Sequence, residues 1–178
     1  MEASVMIMPR GADQLLLPVN PLFIAASLVF ALGFNLIPLG RQAAMPDLLA
    51  LVLVFWNVHQ PLRVGVGIAF VLGLLMDVHQ GALFGQHALA YTLLSFLAVT
   101  IHRRLLWFSV LEQALQVWPL FAAAHAVSLA VRLASGGSFP GWQLLGAPTL
   151  EAALWPVAVW VLLAPQRRAP DPDENRPL

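Results

Sequence analysis

Cysteine and lysine are both absent from this chain, and charged residues of any kind are scarce. The absence of cysteine excludes disulfide bonds, thiolate metal sites and cysteine nucleophiles. Charged residues make up 10% of the 178 residues, whereas about 25% is usual in a soluble domain. The nine basic residues, all of them arginine, balance nine acidic ones. No basic surface therefore indicates binding to nucleic acid or to anionic lipid.

Apolar sequence is what the chain has in abundance, since 60% of its residues are hydrophobic. Because so few charges cannot cover a soluble globule, the composition predicts an all-α integral membrane protein that forms a single domain. The predicted parts are a cytoplasmic lead-in at residues 1–18, a six-helix membrane domain at 19–164 and a disordered cytoplasmic tail at 165–178, which is rich in proline and charge.

The six predicted spans are apolar runs separated by polar segments or by segments rich in glycine and proline. They cover about 21–38, 46–58, 62–77, 84–101, 112–134 and 149–163. The second and third runs are short for a hydrocarbon core of about 30 Å. They are therefore either short spanning helices or the two arms of a re-entrant hairpin, and both readings return the chain to the side it left.

Arginine placement predicts the orientation. With six spans and a cytoplasmic N-terminus, seven of the nine arginines lie inside and only Arg41 and Arg132 lie outside. The opposite orientation would reverse that count and break the positive-inside rule. We therefore expect both termini in the cytoplasm.

Two predicted helices carry small residues at every fourth position. The stripe of the third helix is Gly65, Ala69 and Gly73, followed on the same face by Asp77, and that of the fifth helix is Ala122, Ala126 and Ala130. In lipid, such smooth faces let another helix approach closely. Each stripe is either a surface for a partner or an internal packing face. A carboxylate at the end of an apolar helix is costly, so Asp77 marks a membrane boundary or a buried polar contact.

The remaining polar residues show no catalytic or metal-binding pattern. His125 is the deepest ionisable residue, and we expect it to be neutral and hydrogen-bonded across helices. Arg132 and Glu151 fall at the external boundary of adjacent helices, where we expect either an ion pair or two separately solvated charges. The spacing of Asp77, His79 and His87 fits no helical metal motif. The sequence has no glycine-rich phosphate loop and no nucleophile with its base, so no cofactor or enzymatic activity is predicted.

The centre of the chain resembles a known family. The resemblance rests on Pro46-Asp47 through Phe55-Trp56, on Gly73-Leu74-Leu75-Met76-Asp77, on Gly81, and on Leu83-Phe84-Gly85-Gln86-His87-Ala88-Leu89-Ala90-Tyr91. These segments are similar to the rod shape-determining protein MreD of bacteria. The resemblance implies a multi-pass component of the inner membrane that takes part in cell elongation. It also implies binding to MreC, a protein with a single span, and through it to the MreB cytoskeleton, RodA and a class B penicillin-binding protein.

Under this reading the chain is a scaffold, and we expect Asp77 and the loop from Gly81 through Gly85 to His87 to help receive a partner. The family also resembles in fold the substrate-binding subunits of energy-coupling-factor vitamin transporters. That likeness supplies a rival function, which needs an enclosed polar pocket where Asn35, Asp47, Asp77 and His87 converge. A membrane enzyme acting on lipid-linked intermediates is a third reading, and no catalytic set supports it.

Overall fold

The structure is a computed structural model that describes residues 19–37, 45–81, 85–139 and 141–167. Within these ranges the chain forms six α-helices and two short 3₁₀ turns, and no strand is present there. The helices are α1 Pro21–Asn35, α2 Leu48–His59, α3 Val66–Gln80, α4 Gln86–Leu105, α5 Val110–Ala134 and α6 Gly146–Leu163. The prediction of an all-helical chain with six helices is therefore confirmed for the described part.

The predicted ends of the chain fall mostly outside this part. The lead-in at 1–18 and the tail beyond Arg167 lie outside the described residues. Ala164–Gln166 forms a 3₁₀ turn directly after α6, and Gln166 is buried.

Side chains just before the helices explain where several of them begin. The Asn20 side chain accepts a hydrogen bond from the Leu22 backbone at the start of α1, and Asp47 does the same for Ala50 in α2. At the start of α5, Ser109 and Glu112 form a reciprocal capping box. These contacts satisfy backbone N–H groups that a helix leaves without partners in its first turn.

α2 lies at the centre of the bundle. Nine of its twelve residues are buried, and it packs against α1, α4 and α6. An apolar sequence on every side is what a helix surrounded by neighbours requires. α4, α5 and α6 complete a ring with α2, while α1 lies outside against α2 and α3 lies outside against α4. The two short helices α2 and α3 thus have different main neighbours.

Hydrogen bonds between helices join this core. Asn57 of α2 donates to the Ser95 hydroxyl of α4 at 2.9 Å, and the Trp155 indole of α6 donates to Gln113 of α5 at 3.1 Å. These four residues are buried. Because an unpaired polar group is costly away from water, such pairs favour one arrangement of the helices.

The outer surface of the bundle is apolar. Large side chains such as Phe30, Phe96 and Trp160 are exposed on three different helices, which is unusual for a soluble monomer. In the part of the chain that the structure describes, two segments, Val110–Ala134 and Trp142–Gln166, are long and apolar enough to cross a membrane. α1, α2 and α3 are shorter apolar helices.

Candidate functional site

Asp77 lies near the C-terminal end of α3, and its carboxylate caps the next helix. It accepts hydrogen bonds from the backbone N–H groups of Gly85 at 2.9 Å, His87 at 2.7 Å and Ala88 at 3.3 Å. Gly85 is the N-cap residue of α4 and has no side chain that could serve this purpose. A carboxylate supplied by α3 therefore satisfies the first amides of α4 and faces the positive end of its dipole.

The imidazole of His87 completes this first cluster. Its Nδ1 lies 2.9 Å from Asp77 Oδ1. The Asp77 side chain is fully buried, while that of His87 is 13% exposed. A buried carboxylate costs little only when it is well supplied with hydrogen-bond donors, and these contacts provide them. The hydrogen bonds of Asp77 are therefore made within its own chain, and its carboxylate is not exposed on the surface of the bundle.

The small-residue stripe of α3 packs against α4. A Cβ added at Gly73 would lie 2.5 Å from the Ala88 Cα and 2.7 Å from the His87 carbonyl oxygen. Ala69 on the same face is completely buried. The close approach of the two backbones is what brings Asp77 within reach of the first turn of α4.

The other glycines of the predicted site shape the backbone. Gly65 is the N-cap of α3. Gly81 and Gly85 have φ values of 58° and 106°, which glycine adopts more readily than other residues. Gly81 ends α3 with a hydrogen bond to the Asp77 carbonyl.

Asp47 centres a second cluster that joins three helices. Besides capping α2 through Ala50, its Oδ1 accepts a hydrogen bond from Asn35 Nδ2 of α1 at 2.6 Å. Its Oδ2 accepts a hydrogen bond from the Tyr91 hydroxyl of α4. Both carboxylate oxygens are thus occupied by neutral donors.

Glu151 of α6 connects to this second cluster and is completely buried. Its Oε1 accepts a hydrogen bond from the Asp47 backbone N–H at 2.9 Å and lies 2.9 Å from His125 Nε2 of α5. The interhelical hydrogen bond expected for His125 is therefore present. We use the name acidic floor for Asp47, Glu151, Tyr91 and His125 together.

The structure pairs Glu151 with His125 where the sequence suggested Arg132. Arg132 follows His125 by seven residues, which places it about 10 Å further along the axis of α5. Its stem also lies against Gly137, where an added Cβ would be 2.7 Å from Arg132 Cγ. The position of His125 along α5 therefore places its imidazole, and not the Arg132 guanidinium, next to the Glu151 carboxylate. Arg132 itself is exposed.

His87 of the first cluster and several residues of the second line one cavity of about 160 Å³ between α2, α4, α5 and α6. Its polar lining includes the acidic floor, His87, Gln86, Ser128 and Arg132. The four residues expected to converge do so in pairs: Asn35 bonds Asp47, Asp77 bonds His87, and Asp47 and His87 both face the cavity. Across residues 19–37, 45–81, 85–139 and 141–167, no group of three acidic or histidine side chains is placed to hold a metal ion.

Sequence reasoning did not find the roles of Tyr91 and Glu151 in this cavity. One signal was available, because Tyr91 is the single tyrosine of the chain and lies one turn after His87 in α4.

The small-residue stripe of α5, unlike that of α3, is not fully covered by another helix of the chain. Ala122 is half-buried, while Ala126 and Ala130 are exposed on the bundle surface.

This fold and these clusters define a small helical membrane protein whose described carboxylates hold helix ends and helix pairs together. The chain belongs to the family of the rod shape-determining protein MreD, whose family model matches residues 15–163. It is 32% identical over 130 residues to a protein of Haemophilus influenzae named rod shape-determining protein MreD, with 71% of this chain and 76% of the relative covered. No solved structure matches the chain. The resemblance seen in the sequence is confirmed, and it supports a role in rod-shape determination.

Proposed function

We propose that the chain is a non-enzymatic scaffold of the cell-elongation machinery in the bacterial inner membrane. In this role it binds MreC and thereby helps couple the MreB cytoskeleton to RodA and a class B penicillin-binding protein during peptidoglycan synthesis. The observation that carries the proposal is membership in the MreD family over residues 15–163. The use of Asp77 and Asp47 as helix caps supports it, because both carboxylates serve the architecture of the bundle.

The exposed face of α5 is the surface we propose for the MreC helix. Ala122, Ala126 and Ala130 form its smooth stripe, and the last two are exposed. In lipid, association depends on close packing because lipid tails compete with apolar side chains on equal terms. The stripe of α3 is already covered by α4, so we assign the partner to α5.

Replacing Ala126 with Trp is expected to lower the recovery of MreC in mild detergent by about tenfold, since the bulky ring separates the helices and a loss of about 1.4 kcal/mol is tenfold in affinity. Co-purification from cells that express both proteins measures this. Val157→Trp places the same ring on the exposed face of α6 and should leave recovery unchanged. Undiminished MreC recovery with Ala126→Trp would remove α5 as the binding face.

The proposed topology has six spans and both termini in the cytoplasm. Because the chain contains no cysteine, single cysteines report accessibility without background. A cysteine at Ser138, after α5, is expected to react with an impermeant thiol reagent from the periplasmic side. A cysteine at Trp107, between α4 and α5, should react only after the cytoplasmic side is opened. The reverse pattern would overturn the orientation.

A substrate-binding subunit of a vitamin-type transporter is the second candidate, and the polar cavity favours it. This second proposal also rests on the expected similarity in fold to the substrate-binding subunits of energy-coupling-factor transporters. The cavity volume of about 160 Å³ is below the range of about 300–1,000 Å³ for drug-sized ligands, which argues against a ligand of that size. Purification with ATPase subunits or a bound vitamin would favour the transporter, whereas recovery of MreC alone favours the scaffold.

A further inference from the structure

The acidic floor contains one polar atom that lacks a hydrogen-bond partner. Three buried side-chain atoms in the described residues have none, namely Asn57 Oδ1, Thr92 Oγ1 and Glu151 Oε2. Of these residues, only Glu151 lines the cavity. Its side chain is completely buried, and a buried carboxylate oxygen without a donor is costly. The cavity therefore favours an occupant that carries a hydrogen-bond donor.

The charged side chains of the acidic floor indicate the sign of the charge that the occupant carries. Asp47 and Glu151 bring two carboxylates, and among the residues that the structure describes His125 is the single basic side chain bonded to either of them. The other donors to Asp47 are an amide, a phenol and a backbone N–H, all neutral. Arg132 also lines the cavity, but within the described residues it forms no ion pair with either carboxylate. Since buried charges are normally paired, the floor has one more carboxylate than paired basic side chains.

The size of the cavity limits the occupant to a compact molecule. Its volume is about 160 Å³, close to that of an apolar cavity of about 150 Å³ that holds benzene. Hard metal cations take about six or more oxygen ligands, and the floor presents a single unpartnered oxygen. A primary ammonium group has three N–H donors and so needs about half as many acceptors, of which Glu151 Oε2 is one.

From these observations we propose that the cavity binds a small primary amine in its ammonium form, with Glu151 Oε2 as acceptor and counter-ion. The alkyl part of the amine lies against Ala50, Ala90 and Ala124, which contribute to the same lining. The amine site goes beyond the scaffold role and does not depend on MreC binding, because it rests on the cavity alone.

Isothermal titration of the full chain in detergent micelles tests the proposal, with ethylammonium chloride as the probe. We expect saturable binding of ethylammonium at millimolar concentrations. Tetramethylammonium, which has no N–H group, and sodium chloride at the same ionic strength should give only heats of dilution. Equal binding of all three salts, or no saturable heat with ethylammonium, would overturn the proposal.

Variants locate the site. Glu151→Gln keeps the shape but removes the charge and should weaken ethylammonium binding at least tenfold. Glu112→Gln changes an exposed carboxylate in the capping box of α5 and should bind like the wild type. Unaltered affinity in Glu151→Gln would overturn the proposal.

Two further variants keep the test decisive if Glu151→Gln fails to fold. Ala124→Leu retains both carboxylates, fills part of the cavity and should abolish binding in a protein that still elutes as a single species. Arg104→Gln changes an exposed arginine outside the cavity lining and should retain binding. Ethylammonium binding that survives in Ala124→Leu, or that is lost in Arg104→Gln, would contradict the assigned position.

Discussion

Replacing Asp77 with Ala is expected to lower the free energy of unfolding by about 3–5 kcal/mol, the range seen when one partner of a buried ionic contact is removed. The carboxylate accepts backbone N–H bonds from Gly85 and from two residues in the first turn of α4, and it also contacts the His87 imidazole. Without it, the first amides of α4 are left without partners inside the bundle, and each such group costs about 1–3 kcal/mol.

Unfolding in increasing concentrations of dodecyl sulfate, followed by tryptophan fluorescence, measures this loss. Asp77→Asn keeps one carbonyl acceptor and should fall between the wild type and Asp77→Ala. The matched control is Glu112→Ala, which removes another capping carboxylate but an exposed one, and which should cost about 1 kcal/mol. Equal losses in Asp77→Ala and Glu112→Ala would show that burial adds nothing to the Asp77 cap.

Replacing Gly73 with Ala is expected to destabilise the protein by about 2–3 kcal/mol, the cost of overpacking a dense contact. The new methyl group would lie 2.5 Å from the Ala88 Cα and 2.7 Å from the Ala88 backbone nitrogen. These are backbone atoms at the start of α4, which cannot move without carrying the helix with them. α3 must therefore shift away, and Asp77 then loses its hydrogen bonds to α4.

Gly67 provides the control for this change, because it lies in the same helix and an added Cβ there meets nothing within 4 Å. Gly67→Ala should be neutral or stabilising by up to about 1 kcal/mol, since alanine favours a helix over glycine. The same unfolding assay compares the two variants. A Gly73→Ala protein as stable as Gly67→Ala would show that α3 and α4 do not approach as described.

Asp77→Ala and Gly73→Ala should also affect the cavity, because Gln86 and His87 in the first turn of α4 belong to its lining. A shift of α4 would move these side chains relative to the acidic floor. The α3–α4 contact therefore connects a packing feature that is visible in the sequence with a polar site that is not.

The sequence by itself was sufficient for the class of protein and for the helices. Apolar runs and capping residues such as Asp47 act locally, within a few residues, so α2 begins at Leu48, close to the predicted start at 46. The spacing of Gly73 and Asp77 likewise identified one face of α3 on which small residues are followed by a carboxylate. Whether that face served a partner or another helix of the chain was left open.

Only the tertiary structure decided the partners of these residues. The rotation of each helix and its position along the bundle axis bring Glu151 next to His125, while Arg132 lies about two turns further along α5. Tyr91 reaches Asp47 across 44 positions of sequence. Periodicity within one helix describes its faces but contains no information on which neighbour each face meets. Helix packing thus determined both the α3–α4 cap and the polar cavity.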